Sequence, residues 1–235
     1  MQDRDVIGNA LLDYYRGIYA DDIVVISSIA EDDIIPIPYL FRSEEELPPI
    51  EKKALKLCKG KVLDVGAGSG CHSLILQHNN FNVEAIDVSK GAVNVMIQRG
   101  LTAQKLNFFE VTQKYDTLLF LMNGIGIAAT LKELPTFLKK ARTLLNDKGQ
   151  ILLDSSDISY MYREEDGSIW VDLNSSYPGE VNYQMQYKNI TGDTFSWLFI
   201  DFETLKEIAA KEGLTCELMM EGDHYNYLAR LTASS

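Results

Sequence analysis

The chain is predicted to be an α/β protein with a largely parallel sheet wrapped by helices on both faces. Three observations predict it. Short apolar strand patterns alternate with helical patterns from Lys61 to Leu153. A glycine-rich turn joins the first of these strands to its helix. The 235 residues, 46% apolar and 24% charged, are enough for one large domain with a modest cap.

Taken in order, Asp5 to Tyr19 carries Val6, Leu11, Leu12, Tyr15, Ile18 and Tyr19 at helical spacing. Ile34-Ile35-Pro36-Ile37-Pro38 is expected to be extended, because proline lacks an N–H and restricts the residue before it. Ser43 with Glu44, Glu45 and Glu46 fits the cap of a short helix. Pro48-Pro49 opens another, reaching about Cys58 and stopped by Gly60. Residues 1–58 are therefore expected to form N-terminal helices and a cap segment.

Strands are expected at Lys61–Val65, Val83–Asp87, Thr102–Leu106, Tyr115–Met122 and Gly149–Leu153, with helices at His72–Asn79, Lys90–Arg99 and Leu131–Leu145. This alternation makes 59–154 the expected core. It breaks after Asp154. Within 155–200, Val181, Tyr183, Met185 and Tyr187 alternate with polar residues, as do Phe195, Trp197 and Phe199, and Thr191-Gly192-Asp193 reads as the turn of a β-hairpin insertion. Residues 201–235 supply a helix stopped by Gly213 and two strands, Leu214–Met220 and Tyr225–Leu231, whose short connection makes them antiparallel.

Bulk properties exclude several functions. No segment approaches the ~20 continuous apolar residues of a membrane helix. The charged start, Met1-Gln2-Asp3-Arg4-Asp5, lacks an apolar signal core, so a cytoplasmic location is expected. A formal charge of −12 disfavours a nucleic-acid partner. Cys58, Cys71 and Cys216 are spread singly and His72, His78 and His224 lack ligand spacing, so neither a disulfide framework nor a metal site is expected. Asp154 and Asp157 follow the fifth core strand without a supporting ligand pattern.

The central motif is Val62-Leu63-Asp64-Val65-Gly66-Ala67-Gly68-Ser69-Gly70. Residues without a Cβ let backbone N–H groups approach a ligand at a helix N-terminus. Asp87 closes the second strand, where a carboxylate accepts hydrogen bonds from both ribose hydroxyls of a nucleoside cofactor, with Ser89 free to cap the following helix. Dinucleotide oxidoreductases share that acid. Their third glycine is replaced here by Cys71, a small packing residue, and no Tyr-x-x-x-Lys base occurs.

With Lys61–Leu76, Asp87-Val88-Ser89 and the closing strand pair in view, the chain resembles a class I S-adenosylmethionine-dependent methyltransferase of the bacterial small-molecule type, over 55–154 in sequence and 201–231 in layout. The resemblance implies a Rossmann-like sheet of seven strands, the last antiparallel. It implies S-adenosylmethionine as cofactor and S-adenosylhomocysteine as product. Gly66, Ala67, Gly68 and Gly70 would form the loop beneath the methionine and ribose, and Asp64 would orient that loop or the cofactor ammonium. Asp87 would hold the ribose, Val88 would pack on the adenine, and Asn107 and Phe108 would meet its amino group and ring. The acid usual at that third-strand position is absent; the Asn107 carbonyl oxygen can accept the same bond. Asn123 would end the fourth strand beside the transferring methyl. The Asn/Asp-Pro-Pro-Tyr motif of amino-directed nucleic-acid and glutamine methyltransferases is replaced by Asn123-Gly124-Ile125-Gly126, and no Pro-Cys pair serves cytosine chemistry.

Such an enzyme aligns a nucleophile and excludes water, and it needs a general base only for a nucleophile protonated at working pH, so no catalytic residue is assigned. Tyr39 and Arg42, in the proline-led segment, are expected to touch the substrate, Arg42 through a carboxylate. Tyr160, Tyr162, Trp170, Tyr177, Tyr183, Tyr187 and Trp197 fit a substrate cover, a dimer surface or ordinary hairpin packing. The expected partner is a small-molecule methyl acceptor, for a monomer or homodimer. A non-catalytic S-adenosylmethionine-binding module and a nicotinamide-dependent oxidoreductase are the alternatives.

Overall fold

Asp5 starts the first helix, α1 (Val6–Tyr15), by accepting the Gly8 N–H on Oδ1 at 2.9 Å, the bond that a helix N-terminus otherwise lacks. Residues 4–18, 21–162 and 177–234 are described by the structure, a computed structural model. After α1 come strands β1 (Ile23–Ser27) and β2 (Asp33–Ile35), a 3₁₀ turn at Ile37–Phe41, and helix α2 (Pro49–Leu57). The core alternation follows: β3 (Lys61–Val65), α3 (Cys71–His78), β4 (Asn82–Asp87), α4 (Lys90–Gln98), β5 (Ala103–Lys105), β6 (Tyr115–Phe120), α5 (Leu134–Thr143) and β7 (Leu145–Ser156). Then come β8 (Glu180–Tyr187), β9 (Ile190–Thr191), β10 (Phe195–Leu198), α6 (Phe202–Lys211), β11 (Leu214–Glu221) and β12 (Asn226–Ala233).

The core sheet has seven strands in the order β11-β12-β7-β6-β3-β4-β5. All run parallel except β12, which pairs antiparallel with both β7 and β11. The expected α/β class, Rossmann-like and seven-stranded with a late antiparallel strand, is what forms. Alternation along the strands sorts side chains to two faces. Leu63, Leu118, Phe120, Ile151 and Leu153 meet α5 and α6 through Phe137, Leu138, Leu205 and Ala209. Val62, Val83, Leu119 and Leu152 meet α2 and α3 through Ala54, Leu55, Ile75 and Leu76. Strand order reverses between β3 and β6, so a crevice opens above their carboxyl ends, where open α/β sheets receive ligands.

A second sheet, the cap sheet, meets the core through α1, which packs on α4, and through β10, which packs on the turn Gly124–Ala128. Its path is β10-β8-β1-β2, with β9 on β8, all antiparallel. The N-terminal segment and the post-β7 insertion thus form one structure: Val25 faces Met185 across β1 and β8. Ile23, Val25 and Tyr187 bury against Val6, Ala10 and Leu11 of α1. Helix α1 rests in turn on α4, where Gly8 and Gly91 touch backbone to backbone; a Cβ at Gly91 would collide with Gly8.

Local departures from the sequence reading have physical reasons. β1 was not expected, although Ile23-Val24-Val25-Ile26 is a run of β-branched residues suited to a strand. The proline segment is not extended throughout: Pro38 occupies the first turn of the 3₁₀ helix, where no N–H is required, so Tyr39 and Phe41 lie on that helix and Arg42 just past it. Residues 44–46 form a turn rather than a short helix, closed by the Glu46 carboxylate accepting the Ser43 N–H at 2.7 Å. The hairpin reverses at Lys188 and Asn189, with Lys188 left-handed (φ 53°), and Thr191-Gly192-Asp193 falls where β9 ends and the chain passes to β10, with the pairing on β8 shifted by one residue. Trp170 lies outside the described residues.

Candidate active site

Three glycines turn β3 into α3, all with positive φ: Gly66 (70°), Gly68 (58°) and Gly70 (81°). At Gly68 an added Cβ would meet nothing within 4 Å, and at Gly66 only Ile127, at 3.7 Å. The loop therefore needs glycine for its backbone conformation and leaves open space above it, the cradle a ligand requires. Ser69 ties the loop to the N-terminal segment by donating to the Leu40 carbonyl, and Arg99 donates to the Ser69 carbonyl at 2.7 Å.

Asp87, at the end of β4, accepts the Gly68 N–H on Oδ2 at 2.9 Å and the Ser89 N–H on Oδ1 at 2.8 Å. Ser89 caps α4, so Asp87 is not the cap. Burial raises the Asp87 carboxyl above its usual range, the Ser89 and Gly68 N–H groups pull it down, and Asp5 and Asp64 push it up again. Asp5 reaches the same place: its Oδ2 accepts from Ser89 Oγ and from the Gly91 N–H, both at 2.9 Å. One N-terminal carboxylate therefore serves the starts of two helices and braces the Asp87 turn.

The remaining sites expected from the sequence are distributed as follows. Asp64 is buried beneath the loop and accepts from Ser73 Oγ at 2.7 Å, with burial raising its carboxyl. Val88 is 64% exposed. Asn107 accepts the Phe109 N–H at 2.9 Å and Glu110 accepts the Asn107 N–H at 3.2 Å, a reciprocal cap on the 3₁₀ turn Phe108–Glu110. Phe108 turns its ring into the core between Phe120 and Phe137, and Phe109 is the ring left exposed.

Asn123 follows Met122, and both are left-handed (φ 57° and 59°), a conformation Asn tolerates and Met does not favour. The Asn123 side chain is engaged on both sides: it donates to the Leu198 carbonyl at 3.1 Å and accepts from Ser155 Oγ at 2.9 Å. Ser155 Oγ also accepts the Ile200 N–H at 3.0 Å. The turn after β6 is thereby fastened to β10 of the cap sheet. Trp197 lies directly on Gly126, where a Cβ would clash with the indole. The other aromatics scatter: Tyr187 enters the α1 core, Tyr177 donates to Asp201, and Tyr160 stacks on Tyr225 at 5.1 Å.

Beside this turn lies a buried charged cluster that the sequence did not disclose. Arg42 donates from Nη2 to Glu51 Oε1 and Oε2, at 3.1 and 2.9 Å, and Glu51 Oε2 lies 2.6 Å from His72 Nε2. Burial alone would lower the His72 pKa; the adjoining Cys71, Glu51 and Asp64 raise it well above the usual value. The Tyr39 ring stacks on the Arg42 guanidinium at 3.6 Å, and Met122 Sδ lies 3.5 Å from Nη2. Asp154, at the end of β7, accepts the Asn123 N–H at 2.9 Å; burial, with Glu51 nearby, pushes its carboxyl up to about 7. Glu51 sits in the first turn of an amphipathic helix and reads as a solvated residue, so only its tertiary position reveals it.

A glycine loop after the first core strand, an acid ending the second and an antiparallel strand wedged next to the sheet edge define the class I methyltransferase form of the Rossmann-like fold. The comparisons agree. An S-adenosylmethionine-dependent methyltransferase from Bacteroides fragilis, crystallised with S-adenosyl-L-homocysteine, is 45% identical over 99% of this chain and 96% of its own, with a TM-score of 0.93. The chain belongs to the S-adenosylmethionine-dependent methyltransferases. Residues 48–123 match the family described as tellurite resistance protein TehB. The CcbJ methyltransferase from Streptomyces caelestis (13% identity, 99% and 100% coverage, TM-score 0.64) shares the fold. So does the sugar N-methyltransferase KedS8 from Streptoalloteichus (14%, 83% and 88%, 0.56). A search of curated proteins found no match. Among the described residues no helix is long and apolar enough to cross a membrane.

Proposed function

We propose that this protein transfers the methyl group of S-adenosylmethionine to a small-molecule acceptor. The observation that carries the reading is the pairing of Asp87 with the Gly68 N–H, which sets a carboxylate beside an open glycine cradle at the switch point of the sheet. The S-adenosylhomocysteine complex of the relative from Bacteroides fragilis supports it.

In this reading Asp87 accepts from the ribose hydroxyls, and Gly66, Ala67, Gly68 and Gly70 keep the backbone low beneath the ribose and methionine. Asp64 acts from below, holding the first turn of α3 through Ser73. Val88 packs on the adenine and the Asn107–Phe109 turn closes its edge. The cofactor supplies a methyl group already activated on a sulfonium. The chain's own residues align the acceptor and exclude water. The fastened Met122–Asn123 turn, Trp197 and the cap sheet would line the acceptor's approach, with Tyr39 and Arg42 on the N-terminal side. A small acceptor fits the formal charge of −12, which repels nucleic-acid backbones. A monomer and a homodimer serve this scheme equally.

Calorimetric titration with S-adenosylhomocysteine, with NADH as comparison, tests the reading. The first ligand is expected to saturate the protein and the second to leave no heat of binding. Asp87→Ala is expected to weaken S-adenosylhomocysteine about 100-fold, the loss of charge-assisted hydrogen bonds. Binding of NADH alone, or indifference to Asp87→Ala, would overturn it.

A further inference from the structure

We propose that the inner face of the cap sheet, centred on Tyr183, holds a protonated amino group of the methyl acceptor, an assignment that rests on the methyltransferase reading and narrows its substrate class.

Strand register defines the face. Tyr183 lies opposite Ser27 and Phe195, Val181 opposite Trp197, and Val25 opposite both Met185 and Asp33, so these side chains share one side of the sheet. Asn182, Gln184 and Ser196 take the other. The shared face rests on the core at both ends. Ile23, Val25 and Tyr187 bury on α1, which packs on α4, the helix that starts just beyond Asp87. Trp197 lies on Gly126, just past Asn123. The sheet thus spans from the end of β4 to the end of β6, and β3 with its glycine loop lies between those strands. Ile127, next to Gly126, is the side chain nearest to Gly66. Between the two supports, Tyr183 and Phe195 are only half-buried.

Two observations say what belongs there. First, the Tyr183 hydroxyl is open. Tyr115, Tyr162, Tyr177, Tyr187 and Tyr227 each spend theirs on a protein acceptor, and Tyr183 alone among the described tyrosines that are not exposed has no such bond. A half-buried hydroxyl without a partner marks a place completed by something else. Second, the rings around it carry no cation. Elsewhere a lysine or arginine lies over the rings of Tyr39, Phe41, Tyr115, Tyr187 and Phe202. Tyr183 packs on Phe195 and Phe199, and Phe195 on Trp197, with no lysine or arginine of the described residues over any of the four.

The nearby charge is negative. Asp33 accepts the Ile34 N–H on Oδ1 at 2.7 Å, and no lysine or arginine of the described residues pairs with it. Burial, together with Asp33, raises the Tyr183 hydroxyl above its usual value, so it stays protonated. An ammonium group satisfies all of this: its charge meets Asp33, an N–H reaches the phenolic oxygen, and ring faces attract a cation. A carboxylate would face Asp33 without a cation to receive it, since Arg42 is bonded to Glu51 and Arg99 to the Ser69 carbonyl.

The test uses three probes of one shape and different charge on the S-adenosylhomocysteine complex: phenethylamine, phenethyl alcohol and hydrocinnamate. Phenethylamine at millimolar concentration is expected to raise the Tm of the wild-type complex, and the other two to leave it unchanged. Tyr183→Phe keeps the ring and removes the hydroxyl; Asp33→Asn removes the charge at an exposed position. Each is expected to weaken phenethylamine roughly 10-fold in calorimetric titration. Equal responses to the amine and the alcohol, a preference for hydrocinnamate, or no response to any probe would overturn the assignment and leave the methyltransferase reading standing. So would a preference for the amine that neither substitution alters. A wild type that does not bind S-adenosylhomocysteine overturns both. The comparison of probes on the wild type does not depend on how the variants fold.

Discussion

The carboxyl edge of the core sheet and the cap sheet beside it are assembled in opposite ways. The glycine loop, its supporting Asp64 and its partner Asp87 all fall between β3 and the start of α4, a single strand–helix–strand unit. The cap sheet joins β1 and β2 to β8 and β10 with most of the core sheet folded in between. Local contacts form at small entropic cost, whereas closing a long loop requires the rest of the fold to be in place. The cofactor contacts proposed above therefore come from a short stretch of chain, and the proposed cover over the acceptor depends on the assembled whole.

The two regions meet at the turn after β6, and the largest expected effect lies there. The Asp154 carboxyl is held at about 7, against about 4 in an unfolded chain. The native state then binds more protons than the unfolded state between these values, so this group lowers stability as pH rises from about 4 to about 7, and no further above that. Asp154→Asn keeps an oxygen for the Asn123 N–H and removes the charge. Its Tm should match the wild type near pH 4 and exceed it progressively toward neutrality, by up to about 2–4 kcal/mol in stability. Melting curves whose separation is constant or shrinks with rising pH would contradict this.

A pair of substitutions separates the regions. Asp87→Ala should cost about 100-fold in S-adenosylhomocysteine affinity with the cap sheet intact. Ser155→Ala strands the Ile200 N–H and one bond to Asn123, and should cost about 1–3 kcal/mol of stability, with faster hydrogen exchange at residues 195–200. Cofactor affinity should move by less than about threefold in that variant. If Ser155→Ala abolished cofactor binding, the core edge would depend on the second sheet.

The smallest effect is expected at Asp5. Asp5→Ala removes the cap of α1 and the brace on Ser89 and Gly91, and should cost about 1 kcal/mol. Faster amide exchange at both Gly8 and Gly91 would show that one carboxylate serves both helices; a change at Gly8 alone would confine it to α1.

Legibility followed the same division. Each core strand and helix from Lys61 to the C-terminal pair was visible as a run of alternating or helical periodicity, with ends displaced by a few residues. The glycine loop and its Asp87 partner are legible because strand, turn and helix adjoin. The sequence points to Phe108 as the ring facing a ligand, yet Phe120 and Phe137 draw it into the core, since two adjacent phenylalanines leave the choice of inward ring to packing. Glu51 and His72 carried no signal, because the periodicity of a helix does not say which charged residue will be enclosed when another segment lies across it.

The sequence by itself determined the parallel core, the glycine loop and the Asp87 acid, since hydrophobic period and glycine chemistry act over a few residues. Only the tertiary structure decided that the N-terminal segment and the late hairpin share one sheet, that Asn123 fastens that sheet to the strand end, and that Arg42 is buried against Glu51. Those features depend on contacts between residues far apart in the chain, and burial, which sets their charge and hydrogen bonding, exists only once the chain has closed around them.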